Sequence, residues 1–343
     1  MAGDSIAARK RRWEDRLAGR DARPLFMIAF DPGARARPQP WPSLKQERIE
    51  YAWEAYCRQR ERCEWLRDDT VPYLDPYTGT EIFAEAFGCQ VHRPEGDMPS
   101  ARPLVTTAEE AVRLRTPQVS SSSLGLLFEI ADELRRRAGP EALMRVVDLQ
   151  SPMDIAALIW DKNHFYTAMI EEPEAVKELS AKVASLLTAF LDEWFSRYGT
   201  EFVAHYPDYY MPRGVTISED EVGSVNEGMF EEFFRPELVA LSERYGGMGL
   251  HCCAHARHQW SNFLRIPGLR LLNLVQPTEV LQEAYRRFAD HLVQFHSWFG
   301  EGPAWTWPSQ QPKGARVVCQ ATAGTKEEAQ ELSDRLWEAC GRS

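Results

Sequence analysis

The sequence contains no long apolar segment. Nowhere in its 343 residues is there a run approaching the ~20 apolar residues that a membrane helix needs. The charged N-terminal stretch MAGDSIAARKRRWEDRLAGR also lacks the apolar part of a secretory signal. These absences predict a cytoplasmic protein with no membrane partner. The composition, 44% hydrophobic and 27% charged, is typical of a globular chain, and we expect one domain over residues 1–343.

Positive charge is scarce as well. The chain has 40 Lys and Arg against 51 Asp and Glu, which gives a formal net charge of -11 at pH 7. Because phosphate binding needs a basic face, this balance argues against nucleic acid as a partner. The motifs GxGxxG, GxxxxGKS/T, HExxH and GxSxG are also missing, so nucleotide-binding and common hydrolase functions lack support. We expect a small-molecule substrate, and the oligomeric state stays open.

Cysteines are few, and their number is odd. Seven cysteines in a cytoplasmic chain indicate reduced thiols rather than a disulfide framework. Four of them fall in helical or turn patterns and are expected to be structural: Cys57, Cys63, Cys89 and Cys340. The other three fall on predicted strands, where a thiol could serve a site.

Short β-branched and aromatic runs alternate with longer helical patterns, which predicts a mainly parallel sheet. The predicted strands cover residues 24–30, 70–74, 142–149, 201–206, 248–253, 269–276, 291–298 and 315–321. The clearest helix is Pro173–Tyr198, with apolar residues at three- and four-residue steps and proline at its first position. Eight strands in a chain of this length favour an α/β fold, a (β/α)8 TIM barrel with an N-terminal helical extension.

In such a barrel the chemistry belongs at the C-terminal ends of the strands. Polar, titratable or thiol side chains stand at nearly every predicted end: Asp31, Asp75, Asp148, His205, Asp208, His251, Cys253, Gln276, His296 and Cys319. Asp208, Asp220 and His205 are candidate catalytic residues, although an acid at a strand end is often only a helix cap. Tyr206 and Trp298 are candidate cofactor-binding residues, because their rings could form walls for a flat ligand.

The segment His251-Cys252-Cys253 is a candidate metal site. Alternate strand residues face the same way, so His251 and Cys253 form one pair while Cys252 points elsewhere. An imidazole and a thiolate are natural zinc ligands, and the alternative is a packed thiol beside a core histidine. Cys319, on the last predicted strand, would reach the same mouth as a third ligand, and His296 is a second candidate.

Three segments resemble the uroporphyrinogen decarboxylase-like superfamily, and within it the cobalamin-linked methyltransferases. They are residues 72–89, which end in Ala84-x-x-Phe87-Gly88-Cys89; Ile217-Ser218-Glu219-Asp220 with the helical stretch 230–236; and the His-x-Cys strand with its following unit, 250–273. Their order and spacing, rather than any single motif, carry the resemblance, which extends over about residues 24–340.

The resemblance implies a zinc-dependent methyltransferase. Cys319 stands six residues before Thr325, where the zinc-dependent relatives place their third ligand, so zinc would lie on His251, Cys253 and Cys319. A methyl group would pass between a corrinoid (cobalamin) and a thiol or similar small acceptor. The chain lacks an Asp-x-His-x-x-Gly corrinoid signature, so the corrinoid would be free or carried by a partner corrinoid protein. A fourth ligand could be Gln276 or Glu279.

Departures from the family leave two alternatives. The arginine-rich Arg-Gln-Ala-Gly-Arg clamp of the decarboxylase is missing, which disfavours a poly-acid porphyrinogen, and Ala254 and Gln320 replace expected glycines. A metal-free decarboxylase or lyase acting on another acid would use Asp31, Asp208 or Arg213. The other alternative is a non-catalytic subunit that binds a corrinoid or another tetrapyrrole.

Overall fold

The structure, a computed structural model, describes residues 4–296 and 300–342. Its strands are β1 Leu25–Ala29, β2 Tyr73–Leu74, β3 Val91–His92, β4 Ser100–Ala101, β5 Leu143–Arg145, β6 Phe202–Val203, β7 Tyr210–Met211, β8 Val215–Ser218, β9 Met248–Cys252, β10 Leu269–Leu274, β11 Val293–Gln294 and β12 Arg316–Thr322. Its α-helices are α1 Ile6–Leu17, α2 Lys45–Trp65, α3 Ile82–Ala86, α4 Ala108–Arg113, α5 Gly125–Ala138, α6 Pro152–Ile159, α7 Lys162–Glu171, α8 Pro173–Tyr198, α9 Glu227–Met229, α10 Arg235–Tyr245, α11 Trp260–Phe263, α12 Thr278–Arg287, α13 Trp307–Gln310 and α14 Lys326–Ala339. A π-helical segment, Phe230–Phe234, joins α9 to α10.

The parallel strands form a closed ring. One sheet has the order β1-β12-β11-β10-β9-β8, and a second has the order β2-β5-β6-β7. A parallel bridge between Gln150 and Ser218 joins the segment after β5 to β8. The barrel strands in chain order are therefore β1, β2, β5, β8, β9, β10, β11 and β12. This arrangement confirms the predicted (β/α)8 barrel, and α1 confirms the N-terminal helical extension.

Side chains rather than a backbone ladder join β1 to the segment before β2. The amide of Phe26 donates to Asp69 Oδ2 at 2.8 Å, and the amide of Ile28 donates to Asp68 Oδ2 at 3.0 Å. The Asp69 amide in turn donates to the Phe26 carbonyl at 2.8 Å. Both carboxylates are fully buried. They act as acceptors in place of strand carbonyls, and the ring closes through them.

Three arginines from distant parts of the chain neutralise these two carboxylates. Arg9 on α1 pairs with Asp68. Arg12, one turn further along the helix, pairs with Asp69 at 2.6 Å, and Arg342 pairs with it at 2.8 Å. Buried carboxylates are costly unless they are paired and hydrogen-bonded, and here both conditions are met. The N-terminal and C-terminal segments therefore meet at the β1–β2 junction.

The fourth barrel strand differs from its prediction. Residues 201–206 were expected to supply it, but only Phe202–Val203 is extended. This short β6 pairs in parallel with β5 and antiparallel with β7. Val215–Ser218 takes the place beside β9 instead. The predicted fourth strand is confirmed only at Phe202–Val203, because the chain turns back after β6 and residues 205–208 leave the sheet to line the barrel mouth.

Helix α8 has the bounds predicted from its apolar spacing, and Gly199 with φ +89° follows its last residue. One face of the helix is buried in the core, where the Phe190 ring packs edge-on against Phe83 with centroids 5.4 Å apart. Under the barrel mouth, Gly249 leaves room for Tyr209, because a Cβ at Gly249 would fall on the Tyr209 hydroxyl.

None of the helices within residues 4–296 and 300–342 combines the length and apolar character that crossing a bilayer would require.

Candidate active site

A cavity of about 650 Å³ lies at the C-terminal ends of the strands, where a barrel places its chemistry. Its lining includes Asp148, Gln150, Ser218, Asp220, His251 and Cys253. Strand register explains why several of these side chains meet. Gln150 pairs with Ser218, Ser218 with His251, and His251 with Asn273, so all four stand at one level of the barrel.

The Asn273 side chain sets the orientation and tautomer of His251. Its amide nitrogen donates to the Phe295 carbonyl, so its amide oxygen is left to accept from His251 Nδ1 at 2.6 Å. His251 therefore carries its proton on Nδ1 and presents the lone pair of Nε2 to the cavity. Burial lowers the pKa of His251 below its ordinary value, which favours this neutral form. Metal-binding histidines are held in the same way by a second hydrogen bond.

Asp220, His251 and Cys253 form one potential metal-binding group. A ligand atom from each lies within 4.8 Å of the other two. The Cys253 amide donates to Asp220 Oδ1 at 2.6 Å, which ties the carboxylate to the end of β9. Burial and the charge of Asp220 raise the pKa of the Cys253 thiol to about 12. In the absence of a cation the thiol is therefore protonated at neutral pH.

Asp154 holds the backbone of Asp220 in place. Its carboxylate accepts from the amides of Asp220 at 2.7 Å and Glu221 at 3.0 Å. Asp154 lies in the first turn of α6, and the Ser151 side chain caps the N-terminus of this helix by accepting from the Asp154 amide. A rigid helix end therefore supports the loop that carries Asp220. The sequence singled out Asp220 as a possible acid or base. Its position beside His251 and Cys253 makes it a potential ligand instead.

Cys319, the predicted third ligand, does not join this group. It lies within β12 opposite Phe26 and is 1% exposed. Its strand neighbours Gln320 and Thr322 line an interior cavity, and burial together with Cys340 raises the pKa of the Cys319 thiol. Gln320 faces the barrel interior, so by strand alternation Cys319 points toward the helix layer. The sequence did not reveal this facing.

Two of the other suggested ligands, His296 and Gln276, make hydrogen bonds elsewhere. His296 is buried, accepts from the Leu274 amide at 3.0 Å, and lies 3.1 Å from Gln294 through its other nitrogen. Gln276 donates to the carbonyls of Cys253 at 2.9 Å and Ala254 at 2.8 Å, so it secures the loop after β9. Glu279, in the first turn of α12, is not part of the metal-binding group among the described residues.

His205 and Tyr206 border the metal-binding group. His205 Nε2 lies 2.8 Å from Ser218 Oγ, and Nδ1 lies 3.1 Å from Thr216 Oγ1. Burial lowers the pKa of His205 well below its ordinary value, so a neutral imidazole orients Ser218. The Tyr206 ring is 49% exposed and meets His251 edge-on at 4.8 Å. Trp298, the other predicted aromatic wall, lies outside the described residues.

Arg145 and its partners form a charged partition across the barrel mouth. Arg145 pairs with Asp75 at 2.9 Å and with Asp208 at 3.0 Å, and Asp208 also accepts from the Tyr73 hydroxyl. Burial lowers the pKa of Arg145, but Asp208 and Asp75 outweigh that effect and raise it overall. A second cavity of about 590 Å³ lies on the other side and shares Arg37, Asp75 and Asp208 with the first.

Sequence reasoning missed Arg145, although a signal for it existed. It is an arginine inside the apolar run Leu143-Met144-Arg145-Val146-Val147. A cation at such a position must meet acids in the fold, and the strand ends at residues 75 and 208 supply them. Asp208, proposed as an acid or base, is thereby engaged in an ion pair.

Comparison with known proteins now gives the family. Residues 77–293 match the uroporphyrinogen decarboxylase (URO-D) family, which is more than half of the chain, and the chain belongs to that family. Among solved structures, it is similar to a methyltransferase from Methanosarcina mazei, with a TM-score of 0.64 and 13% sequence identity over 97% of this chain and 98% of that one. At this identity the similarity shows a shared fold. No curated protein matches the sequence.

Proposed function

We propose that the protein is a metal-dependent methyltransferase, which moves a methyl group between a corrinoid and a thiol or similar small acceptor. The observation that carries this proposal is the convergence of Asp220, His251 and Cys253 within 4.8 Å at the mouth of the barrel. The structural similarity to a methyltransferase supports it. The single change from the sequence-based hypothesis is that Asp220 replaces Cys319 as the third ligand.

The chemistry of these donors fits zinc. Imidazole nitrogen, thiolate and carboxylate oxygen are the ligands that zinc takes in proteins, and catalytic sites use three of them and leave one position open. When bound, zinc would lower the pKa of a thiol acceptor and keep its sulfur nucleophilic at neutral pH. His251 would bind through Nε2, since Asn273 occupies Nδ1. Cys253 would bind as the thiolate.

The surroundings of the group would select the acceptor and receive the methyl carrier. A cavity of about 650 Å³ suits a small molecule. Three partly exposed apolar side chains line its mouth, namely Tyr206 at 49%, Val275 at 39% and Met98 at 38% exposed. Such a rim would contact the face of a flat corrinoid, either free or carried by a corrinoid protein, while the acceptor lies inside.

The metal-free decarboxylase finds less support. Asp31 and Asp208 line one cavity, but each is already ion-paired, Asp31 with Arg58 and Asp208 with Arg145. Arg213 lies elsewhere, near Gly246. The carboxylates that line the cavity also outnumber its guanidinium groups: Asp75, Asp148, Asp208 and Asp220 against Arg37 and Arg145. An acidic cavity repels a poly-acid substrate.

Metal analysis of the purified protein tests the proposal. We expect about one zinc per chain, with a strong loss in Cys253→Ser and Asp220→Asn. Cys319→Ser is the matched control and should retain zinc. The zinc-loaded protein should demethylate methylcobalamin in the presence of small thiols, which visible absorbance would follow.

Much less than one zinc per chain in the wild type, or zinc retained by Cys253→Ser, would overturn the metal site. A change in corrinoid absorbance without methyl loss, whichever thiol is added, would favour the non-catalytic binding subunit instead. Turnover of a carboxylic acid by metal-free protein would favour the decarboxylase.

A further inference from the structure

One carboxylate in the cavity has no assigned role in the proposed chemistry. The segment after β5 runs extended along the cavity wall, and every second residue faces inward: Val146, Asp148 and Gln150. Gln150 is level with Ser218 and thereby with His251. Asp148 therefore stands one step below the metal-binding group, on a neighbouring barrel strand and facing the same space.

The environment of Asp148 differs from that of the other acids in the cavity. Asp75 and Asp208 are ion-paired with Arg145, and Asp220 accepts from the Cys253 amide. Within residues 4–296 and 300–342, no lysine or arginine forms an ion pair with Asp148. Its side chain is 28% exposed, so it is accessible from the cavity.

Its neighbours orient Asp148 without occupying its carboxylate. The Asp148 amide donates to Thr78 Oγ1 at 2.8 Å, which fixes the backbone. His205 Nε2 lies 3.9 Å from the carboxylate, but that nitrogen already contacts Ser218 Oγ at 2.8 Å. The carboxylate is thus positioned and left available for a ligand.

The charges around Asp148 tune it for proton exchange near neutral pH. Burial raises the pKa of Asp148 to about 6, with Arg145 acting in the lowering direction and Asp220 in the raising direction. Glu81, which interacts electrostatically with Asp148, is 2% exposed and has a pKa raised to about 7, first by burial and in part by Glu85 and Asp148. A base is most effective when its pKa lies near the working pH.

We propose that Asp148 is the general base that accepts the proton of the thiol acceptor. This inference rests on the proposed methyl transfer. The S–H bond breaks, the proton passes to the Asp148 carboxylate, and the electron pair stays on sulfur. That pair forms the bond to the methyl carbon, while the bond between the methyl carbon and the corrinoid breaks and its electrons remain with the corrinoid. After the thioether leaves, the proton returns from Asp148 to solvent through the open mouth.

Counting protons on thiol binding tests this role separately from turnover. Zinc-loaded protein is titrated with 2-mercaptoethanol by calorimetry at pH 6.0, close to the pKa of Asp148, in phosphate and in MES, whose ionisation enthalpies differ. In the wild type, Asp148 keeps part of the proton released by sulfur, so the binding heats in the two buffers should differ by less than one proton per thiol requires. In Asp148→Asn the whole proton goes to the buffer, and the heats should differ by about one proton per thiol bound.

Two further variants complete the experiment. Asp148→Glu keeps a carboxylate and should retain the proton as the wild type does. Asp31→Asn removes a surface acid paired with Arg58 and is the matched control. Methyl transfer to the thiol should fall by about a hundredfold or more in Asp148→Asn, with recovery in Asp148→Glu.

The possible outcomes separate the two proposals. Thiol binding with equal proton release in the wild type and Asp148→Asn would overturn the role of Asp148 and leave the methyltransferase intact. A wild-type protein that binds zinc but no thiol would overturn both. A larger proton release on thiol binding in Asp148→Asn than in the wild type would support the assignment.

Discussion

Replacing Arg145 with methionine is the perturbation with the clearest expected magnitude. The change removes the cation between Asp75 at 2.9 Å and Asp208 at 3.0 Å and keeps most of the side-chain volume. Removing one partner of a buried ion pair costs about 3–5 kcal/mol when the remaining charge has no other partner. Arg37, 3.8 Å from Asp75, would compensate in part, so we expect the lower end of this range. Asp75 is 11% exposed and should account for most of this cost, whereas Asp208 is 37% exposed and can be solvated.

Urea unfolding of the metal-free protein at pH 7.5 measures this effect. We expect Arg145→Met to lower the free energy of unfolding by about 3 kcal/mol. Adding Asp75→Asn to the same chain should restore most of the loss, whereas Asp208→Asn should restore little. A loss below about 1 kcal/mol, which is the value of a surface pair, would show that water already solvates the partition and would refute the reasoning.

Three further predictions concern the packing at Gly249, the pH dependence of zinc binding and the ionisation of Asp148. Gly249→Ala should destabilise the fold by about 1–3 kcal/mol, because the added methyl group would overlap the Tyr209 hydroxyl. Adding Tyr209→Phe should restore most of this loss in thermal unfolding. Absence of rescue would contradict the inferred contact between Gly249 and Tyr209. Zinc affinity, measured with a competing chelator, should rise about tenfold per pH unit from pH 7 to 9. The reason is that the Cys253 thiol, with a pKa of about 12, must release a proton when it binds zinc, whereas His251 is already neutral. A flat profile would argue against thiolate ligation. The pKa of Asp148 is raised to about 6, so its ionisation reduces stability as the pH rises from about 4 to about 6, and the loss is complete above that range. Asp148→Asn should therefore be more stable than the wild type by up to about 3 kcal/mol at pH 8 and no more stable below pH 4. Urea unfolding at the two pH values would check this.

The sequence was sufficient for the barrel because its long signals are local. Pro173–Tyr198 carries its apolar spacing over 26 residues, and Met248–Cys252 is an apolar run between glycines and a polar loop. Val215–Ser218, which has four residues, was missed. This strand is stabilised by its pairing with β9. A single sequence does not show which strands pair.

The candidate site was predictable in part for the same reason. His251 lies on β9 and Cys253 directly follows its last residue, so alternation alone places the two side chains together. Asp220 reaches them from another strand end, through a loop held by Asp154. Cys319 was assigned to the site because its spacing from Thr325 resembles that of the third zinc ligand in the cobalamin-linked methyltransferases. Its facing depends on the register between β1 and β12, where it lies opposite Phe26.

The junction between β1 and β2 gives the barrel an unusual point of local opening. The amides of Phe26 and Ile28 are protected by aspartate side chains, and these in turn depend on arginines such as Arg342. Amide hydrogen exchange at these two positions should therefore respond to side-chain substitutions hundreds of residues away in the sequence. Circular permutants that keep every strand but separate residues 9 and 342 from the junction would lose the ion pairs to Asp68 and Asp69 that hold β1 in the ring.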